Sequence, residues 1–399
     1  MLEYLPVSSL PFEGNISIYK SKLSPAADYG VGFTIMFIVL LSVLGNGLVL
    51  WISYRRRKKI TSSELLCVNL ALVDFLCCIC LYPLSIVSSF SHAWLGDKAT
   101  CTYYGLGGFL FGLCGMFTIA AISVIRYLKT CHNISYVVWC EGAITRALCI
   151  ATWLIAAAWS CFPLFGWGEY APEPYGVSCT VAWKSYHTSV EDALFVVCSF
   201  ACFTLIPILL IMTSQCQILY KVYRFNFSLA ARGIRSSLHN AEKRISVMFF
   251  CISLGFVTAW APYAVVSFLF IFHKDTWHLA PGGFIFPALF AKSSHVYNPF
   301  IYFYFNKTFR QELQCLVRSY FTGSARNRVS VSVNQPQAPA VIEVQPRGQS
   351  NLDRSTSHSQ SNTNRVNAKA IYPCWVSKMI VAPASLEPRP NKEFVLISS

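Results

Sequence analysis

The chain is 399 residues long, 54% hydrophobic and only 13% charged, with a formal net charge of +14. Two or three soluble domains would need about 25% charged residues, so that class is excluded. The positive charge sits in short segments beside apolar runs and in the tail, which gives no reason to invoke nucleic acid.

Residues 1–29 show no cleavable signal peptide and form a short amino-terminal segment. Seven apolar stretches follow, at roughly 30–54, 65–90, 101–125, 147–167, 193–220, 245–272 and 279–305. Each is long enough to cross a hydrocarbon core about 30 Å thick as a helix. Buried helices of a large soluble protein would rarely produce so many runs in so short a chain. The expected fold is an all-α membrane protein, a seven-transmembrane helix bundle spanning 30–305.

The loops set the orientation. The first carries Arg55, Arg56, Arg57, Lys58 and Lys59, the third Arg126, Lys129 and Arg146. The fifth carries Lys221, Arg224, Arg232, Arg235, Lys243 and Arg244, whereas the alternate loops hold only Lys98, Lys184 and Lys274. Positive-inside logic places the amino terminus outside and the carboxyl tail inside, in the plasma membrane. Of the sequons at Asn15, Asn133, Asn226 and Asn306, only Asn15 then lies outside, so it alone is the expected glycosylation site. Most cysteines fall within spans, where a thiol packs as a small apolar group. Cys101 and Cys179 meet at the oxidising face and are expected to pair. No cluster has metal-ligand spacing, and there is no phosphate loop or nucleophile elbow, so neither a metal nor a catalytic residue is expected.

After residue 305 the composition changes. Residues 306–320 place Phe309, Leu313, Leu316 and Val317 on one face, which predicts a short helix on the inner leaflet, with Cys315 a candidate for palmitoylation. Residues 321–399 are polar, rich in Ser, Asn, Pro and Gln, and read as a disordered cytoplasmic tail. Its stretch STSHSQSNT (355–363) reads equally as a phosphorylation cluster or an unmodified linker.

Polar residues inside the spans are few, and they include Asn46, Asp74, Lys292 and Asn298, with Arg126 at the inner end of the third. Lys292 lies 13 residues into its span, about 20 Å along the helix, too deep to snorkel. A charged, unpaired lysine there costs about 2.5–3.5 kcal/mol. A structural salt bridge, for instance to Asp74, is one explanation. A neutral amine poised to attack an aldehyde is the other.

The landmarks GN (45–46), NLALVD (69–74), Trp153, Pro207, AWAP (259–262) and NPFIY (298–302) fall one per helix and in order. Over residues 30–317 the chain resembles the rhodopsin-class G-protein-coupled receptors. A lysine six residues before the Asn-Pro of the last helix is the mark of opsins, where it carries retinal, 11-cis or all-trans, as a Schiff base. The resemblance implies a retinal slot lined by Tyr104, Gly105, Gly108 and Gly112 of helix three, Phe200 and Phe203 of helix five, and Phe256, Trp260 and Tyr263 of helix six. Visual opsins carry a glutamate counterion where this chain has Tyr104. Glu173, six residues before Cys179, corresponds to the loop glutamate that serves when that acid is missing; an exposed loop glutamate is the alternative.

The stretches RYLKTC (126–131), PEPYGVSCT (172–180), WAPYAVVS (260–267) and AKSSHVYNP (291–299) resemble neuropsins. That likeness implies a non-visual pigment for near-ultraviolet to violet light that signals through inhibitory heterotrimeric G proteins, with arrestin and a receptor kinase acting on the tail. Arg126, Tyr127, Asn298, Pro299 and Tyr302 match the activation residues. The usual acid before the arginine is Ile125 here, which leaves Glu242 as the expected partner of Arg126. A retinal isomerase without G-protein output would keep Lys292 but not those residues. A light-driven ion pump would need a relay of carboxylates across the bundle. A receptor for a diffusible ligand would not need Lys292.

Overall fold

The computed structural model describes residues 19–57, 60–132, 141–231, 237–272 and 282–326. Asn15, the tail beyond 326 and the side chain of Glu242 lie outside the described residues. Seven long helices form a bundle: α1 (Pro25–Arg55), α2 (Ser62–Cys80, resumed as Tyr82–Phe90), α3 (Lys98–Tyr127), α4 (Glu141–Cys161), α5 (Val190–Phe200, resumed as Ile206–Ala231), α6 (Ser237–Phe272) and α7 (Gly282–Phe305). A final helix, α8 (Lys307–Arg326), follows at once and runs six residues past the expected end at 320.

The helices expose apolar side chains where a soluble bundle would expose polar ones. On α1 the buried face includes Ser42 and Asn46 among Ile35, Ile38, Val49 and Ile52, while Phe33, Phe37, Leu40 and Leu44 are exposed. A helix apolar on its free face, with its few polar groups turned into the bundle, is suited to lipid, where its backbone is already satisfied internally. Among the described residues, six helices are long and apolar enough to cross a membrane by that measure alone. The seventh, α7, carries Lys292, His295, Asn298, Pro287 and Pro299 in its 24 residues. It packs against α6 and α1 and completes the ring.

The ends and breaks have local causes. Thr61 and Glu64 form a capping box at the start of α2, and Asp97 caps α3 by accepting from the Thr100 amide at 2.9 Å. α2 breaks at Leu81 because Pro83 has no N–H for the Ile79 carbonyl. α5 widens into a π turn over Ala201–Leu205, just before Pro207. There Thr204 donates its hydroxyl to the Ser199 carbonyl at 3.2 Å. Asn306 caps α8 by accepting from the Thr308 amide at 3.0 Å, and Phe309 is buried beside Tyr302.

Between α4 and α5 the chain forms a hairpin, β1 (Tyr170–Pro172) paired antiparallel with β2 (Cys179–Val181) in the register Tyr170↔Val181. The Cys101–Cys179 disulfide ties β2 to the start of α3. The segment before α1 crosses the hairpin: the Lys22 amide donates to the Tyr175 carbonyl at 3.1 Å, and the Ser21 amide to the His92 carbonyl at 2.9 Å.

Candidate functional site

Beneath the hairpin lies a cavity shared by α2, α3, α5, α6 and α7. It is lined by Lys292 and by most of the residues expected from sequence: Tyr104, Gly105, Gly108, Gly112, Phe200, Phe203, Trp260 and Tyr263. The glycines differ in use. A methyl on Gly108 would meet nothing within 4 Å, so that position opens the cavity. One on Gly112 would sit 3.3 Å from the Trp260 ring, and one on Gly105 only 2.7 Å from Tyr170. Gly105 therefore admits strand β1 as much as any ligand. Phe256 corrects the sequence reading. It is not a wall of the cavity but stacks behind Trp260, with ring centroids 5.7 Å apart. Trp260 Nε1 donates to Ser294 Oγ at 3.3 Å, which joins α6 to α7 beside the lysine.

Lys292 has a partner, and it is not Asp74. Its Nζ lies 3.9 Å from Glu173 Oε1, with both side chains largely buried. Glu173 is a lining residue and only 6% exposed, which rules out the exposed-loop alternative. The hairpin turn fixes it: its amide donates to the Ser178 carbonyl at 2.8 Å, and its carbonyl accepts from Gly176 at 2.9 Å. Tyr175, in the turn of the hairpin, is buried. Burial pushes its phenol well above the ordinary range, and the neighbouring Glu173 charge adds to the effect. Tyr263 OH and Thr180 Oγ1 share a hydrogen bond of 3.1 Å that ties α6 to β2.

Asp74 is occupied from α7: His295 Nδ1 donates to Oδ1 at 2.7 Å and Asn298 Nδ2 to Oδ2 at 2.9 Å. Asn46 Nδ2 reaches the His295 carbonyl at 2.9 Å. His295 also lines the cavity, and sequence reasoning missed it. Its spacing of three from Lys292 puts the two on one helical face, which was the available signal.

At the opposite end, Arg126 Nη2 donates to Ser246 Oγ at 3.1 Å and the guanidinium lies 5.8 Å from the Phe249 ring centroid. Ser246 and Phe249 are on α6, so α3 and α6 are joined there; the expected partner Glu242 has its side chain outside the described residues. Tyr127 OH pairs with His132 Nε2 at 2.8 Å, and Tyr302 is fully buried. Cys315 lies half-buried on α8.

A bundle of this form, with an amine and a carboxylate facing each other in an aromatic cavity, has the architecture of a seven-helix membrane receptor. Residues 45–302 match the family described as 7 transmembrane receptor (rhodopsin family). The chain is 37% identical to Opsin-5 of Homo sapiens over 286 residues, 71% of this chain and 80% of that protein. It is 32% identical to Opsin-3 of Mus musculus over 293 residues, 73% and 71% of the two chains. The crystal structure of squid rhodopsin superposes with a TM-score of 0.65 at 24% identity, covering 78% of this chain and 93% of that one, a likeness of fold. The chain belongs to the opsins of the rhodopsin receptor family. It is a multi-pass, G-protein-coupled, light-sensing receptor of the non-visual kind, not an enzyme.

Proposed function

We propose that this receptor is a bistable pigment for short-wavelength light, with retinal held on Lys292 as a Schiff base and Glu173 as counterion. The observation that carries the reading is the buried Lys292–Glu173 pair inside an apolar, aromatic cavity. The residues fit the group. Lys292 supplies the amine, Gly108 leaves room for a chain, and Trp260, Phe203 and Tyr263 supply flat apolar walls. Retinal, once bound, supplies absorption of light and a change of shape on isomerisation. Glu173 holds positive charge at the Lys292 nitrogen, Trp260 couples the cavity to α6 and α7, and the hairpin excludes water.

The basic loops support an amino terminus outside the cell and a plasma-membrane location, with Asn15 glycosylated. Arg126, Tyr127, Asn298, Pro299 and Tyr302 form the signalling end, with Glu242 a further partner there. Inhibitory-class G protein coupling rests on the neuropsin resemblance, as do arrestin and a receptor kinase as partners of the tail. An isomerase without G-protein output has no observation in its favour. Adding 11-cis and all-trans retinal in turn to purified protein and recording spectra tests the reading; absence of any absorption band beyond that of free retinal would refute it.

A further inference from the structure

At the Arg126 end of the bundle a cleft of about 990 Å³ opens between α5 and the π turn Leu128–His132 that follows α3. Lys129 and His132 line it from the turn, Lys221 and Arg224 from α5. Among the described lining residues none is acidic. The basic side chains are oriented by their neighbours. Lys221 Nζ donates to the Cys131 carbonyl at 2.8 Å, and His132 Nε2 pairs with the Tyr127 hydroxyl at 2.8 Å. The Arg224 guanidinium lies 5.7 Å from the Tyr220 ring centroid and donates to its hydroxyl at 3.5 Å. None of these three partners is a carboxylate, so the bonds place the side chains and leave their charge uncancelled.

The same helix shows the depth at which the cleft lies. The large side chains exposed on α5 are aliphatic from Leu205 to Leu210 and aromatic from Tyr220 to Phe227. Exposed tyrosine and phenylalanine rings after an aliphatic stretch mark the passage from hydrocarbon to headgroups. Tyr220, Tyr223 and Phe227 recur at helical spacing on one face, and Lys221, Arg224 and Ser228 recur on the face beside it, which lines the cleft. The basic row therefore sits at headgroup level, next to lipid. A phosphate monoester carries a charge of about −1.5 to −2 and three acceptor oxygens, which suits several placed cations better than a singly charged headgroup does. The floor of the cleft includes Ser246, the acceptor of the Arg126 bond, so an occupant would sit beside the junction of α3 and α6.

We propose that this cleft is a binding site for the headgroup of a polyphosphorylated inositol lipid of the inner leaflet, with Lys221 and Arg224 as its main phosphate contacts and Lys129 and His132 opposite. The site goes beyond the pigment reading and needs neither retinal nor Glu173. It rests on the orientation given above only for which leaflet supplies the lipid.

Native mass spectrometry of the full-length, detergent-solubilised receptor tests it, by titration with phosphatidylinositol bisphosphate, phosphatidylserine or free inositol trisphosphate. The detergent assay is blind to orientation and to pigment formation, so its failure counts against the site alone. Phosphatidylinositol bisphosphate should bind several-fold tighter than either of the others. Lys221→Gln and Arg224→Gln should each weaken it about fivefold, the worth of one basic residue at a membrane surface, and the double variant about 25-fold. Both positions are exposed, so the variants should keep the unfolding temperature of the unaltered receptor, and Lys221→Arg should recover most of the binding. Equal affinity of the unaltered and double-variant receptors, or equal binding of phosphatidylserine, overturns the proposal. Free inositol trisphosphate binding as tightly as the lipid would make this a site for a soluble anion and overturn it too. Normal lipid binding by the double variant, with loss of nucleotide exchange on an added G protein, would assign the cleft to a protein partner instead.

Discussion

Lys292 and Glu173 are 3.9 Å apart, beyond a direct hydrogen bond but within strong Coulomb range. At an effective dielectric constant of about 20 that attraction is about 4 kcal/mol, which offsets much of the roughly 2.5–3.5 kcal/mol that each of the two charges would cost alone. The pair, not the lysine alone, is what the bundle tolerates. Lys292→Ala should abolish pigment formation with retinal, read as loss of the absorption band; borohydride reduction that fixes retinal elsewhere in the chain would contradict it. Glu173→Gln removes the charge but keeps the shape. Its visible-absorbing form should give way to an ultraviolet form at lower pH than in the unaltered protein, with Tyr104→Phe having a much smaller effect. Lys292 was legible because a lysine is rare at that depth. His295 was not, because its meaning depends on Asp74, 221 residues away in sequence.

At the scale of elements, long runs with hardly an ionisable group marked all seven helices, although by length and hydropathy alone six of the described helices qualify and α7 does not. The break at Leu81 and the π turn before Pro207 were less legible. Proline signals that a carbonyl is released but not whether the helix kinks, widens or stops. The hairpin was hidden altogether, because two strands of three residues carry no periodicity. Its turn depends on Gly176, with φ of 94° and a position where an added methyl would sit 2.5 Å from the Lys20 carbonyl. Gly176→Ala should destabilise the receptor by about 1–3 kcal/mol, measured as a shorter half-life of thermal inactivation. At the other end the Arg126–Ser246 hydrogen bond joins α3 to α6. Ser246→Ala should raise basal G-protein activation several-fold, the effect of losing about 1 kcal/mol from the resting state. Ile125→Glu should lower it by supplying the acid this chain lacks; unchanged basal activity in both variants would remove Arg126 from the restraint.

Across the whole molecule, on the proposed reading of Glu173 as counterion, its position governs what light can do reversibly. Hydrolysis of a Schiff base requires water to reach it, and loss of its proton requires a weakened anion. A carboxylate on α3 could be drawn away from α7 when the bundle rearranges. Glu173 instead rides on a hairpin that the Cys101–Cys179 disulfide fastens to the start of α3 and that the segment before α1 covers. The prolines that free backbone groups and permit kinks lie elsewhere, at Pro262 in α6 and Pro299 in α7. The distance from Glu173 to Lys292 should therefore change little as α6 swings, and the photoproduct should stay paired, protonated and intact. Alternating illumination of the purified pigment at its two bands should drive the spectra back and forth through many cycles. Cys179→Ser, which frees the hairpin, should shorten the lifetime of the photoproduct and release retinal. Release of free retinal by the unaltered protein within minutes, without recovery of the first spectrum, would show that the tethered carboxylate does not protect the bond.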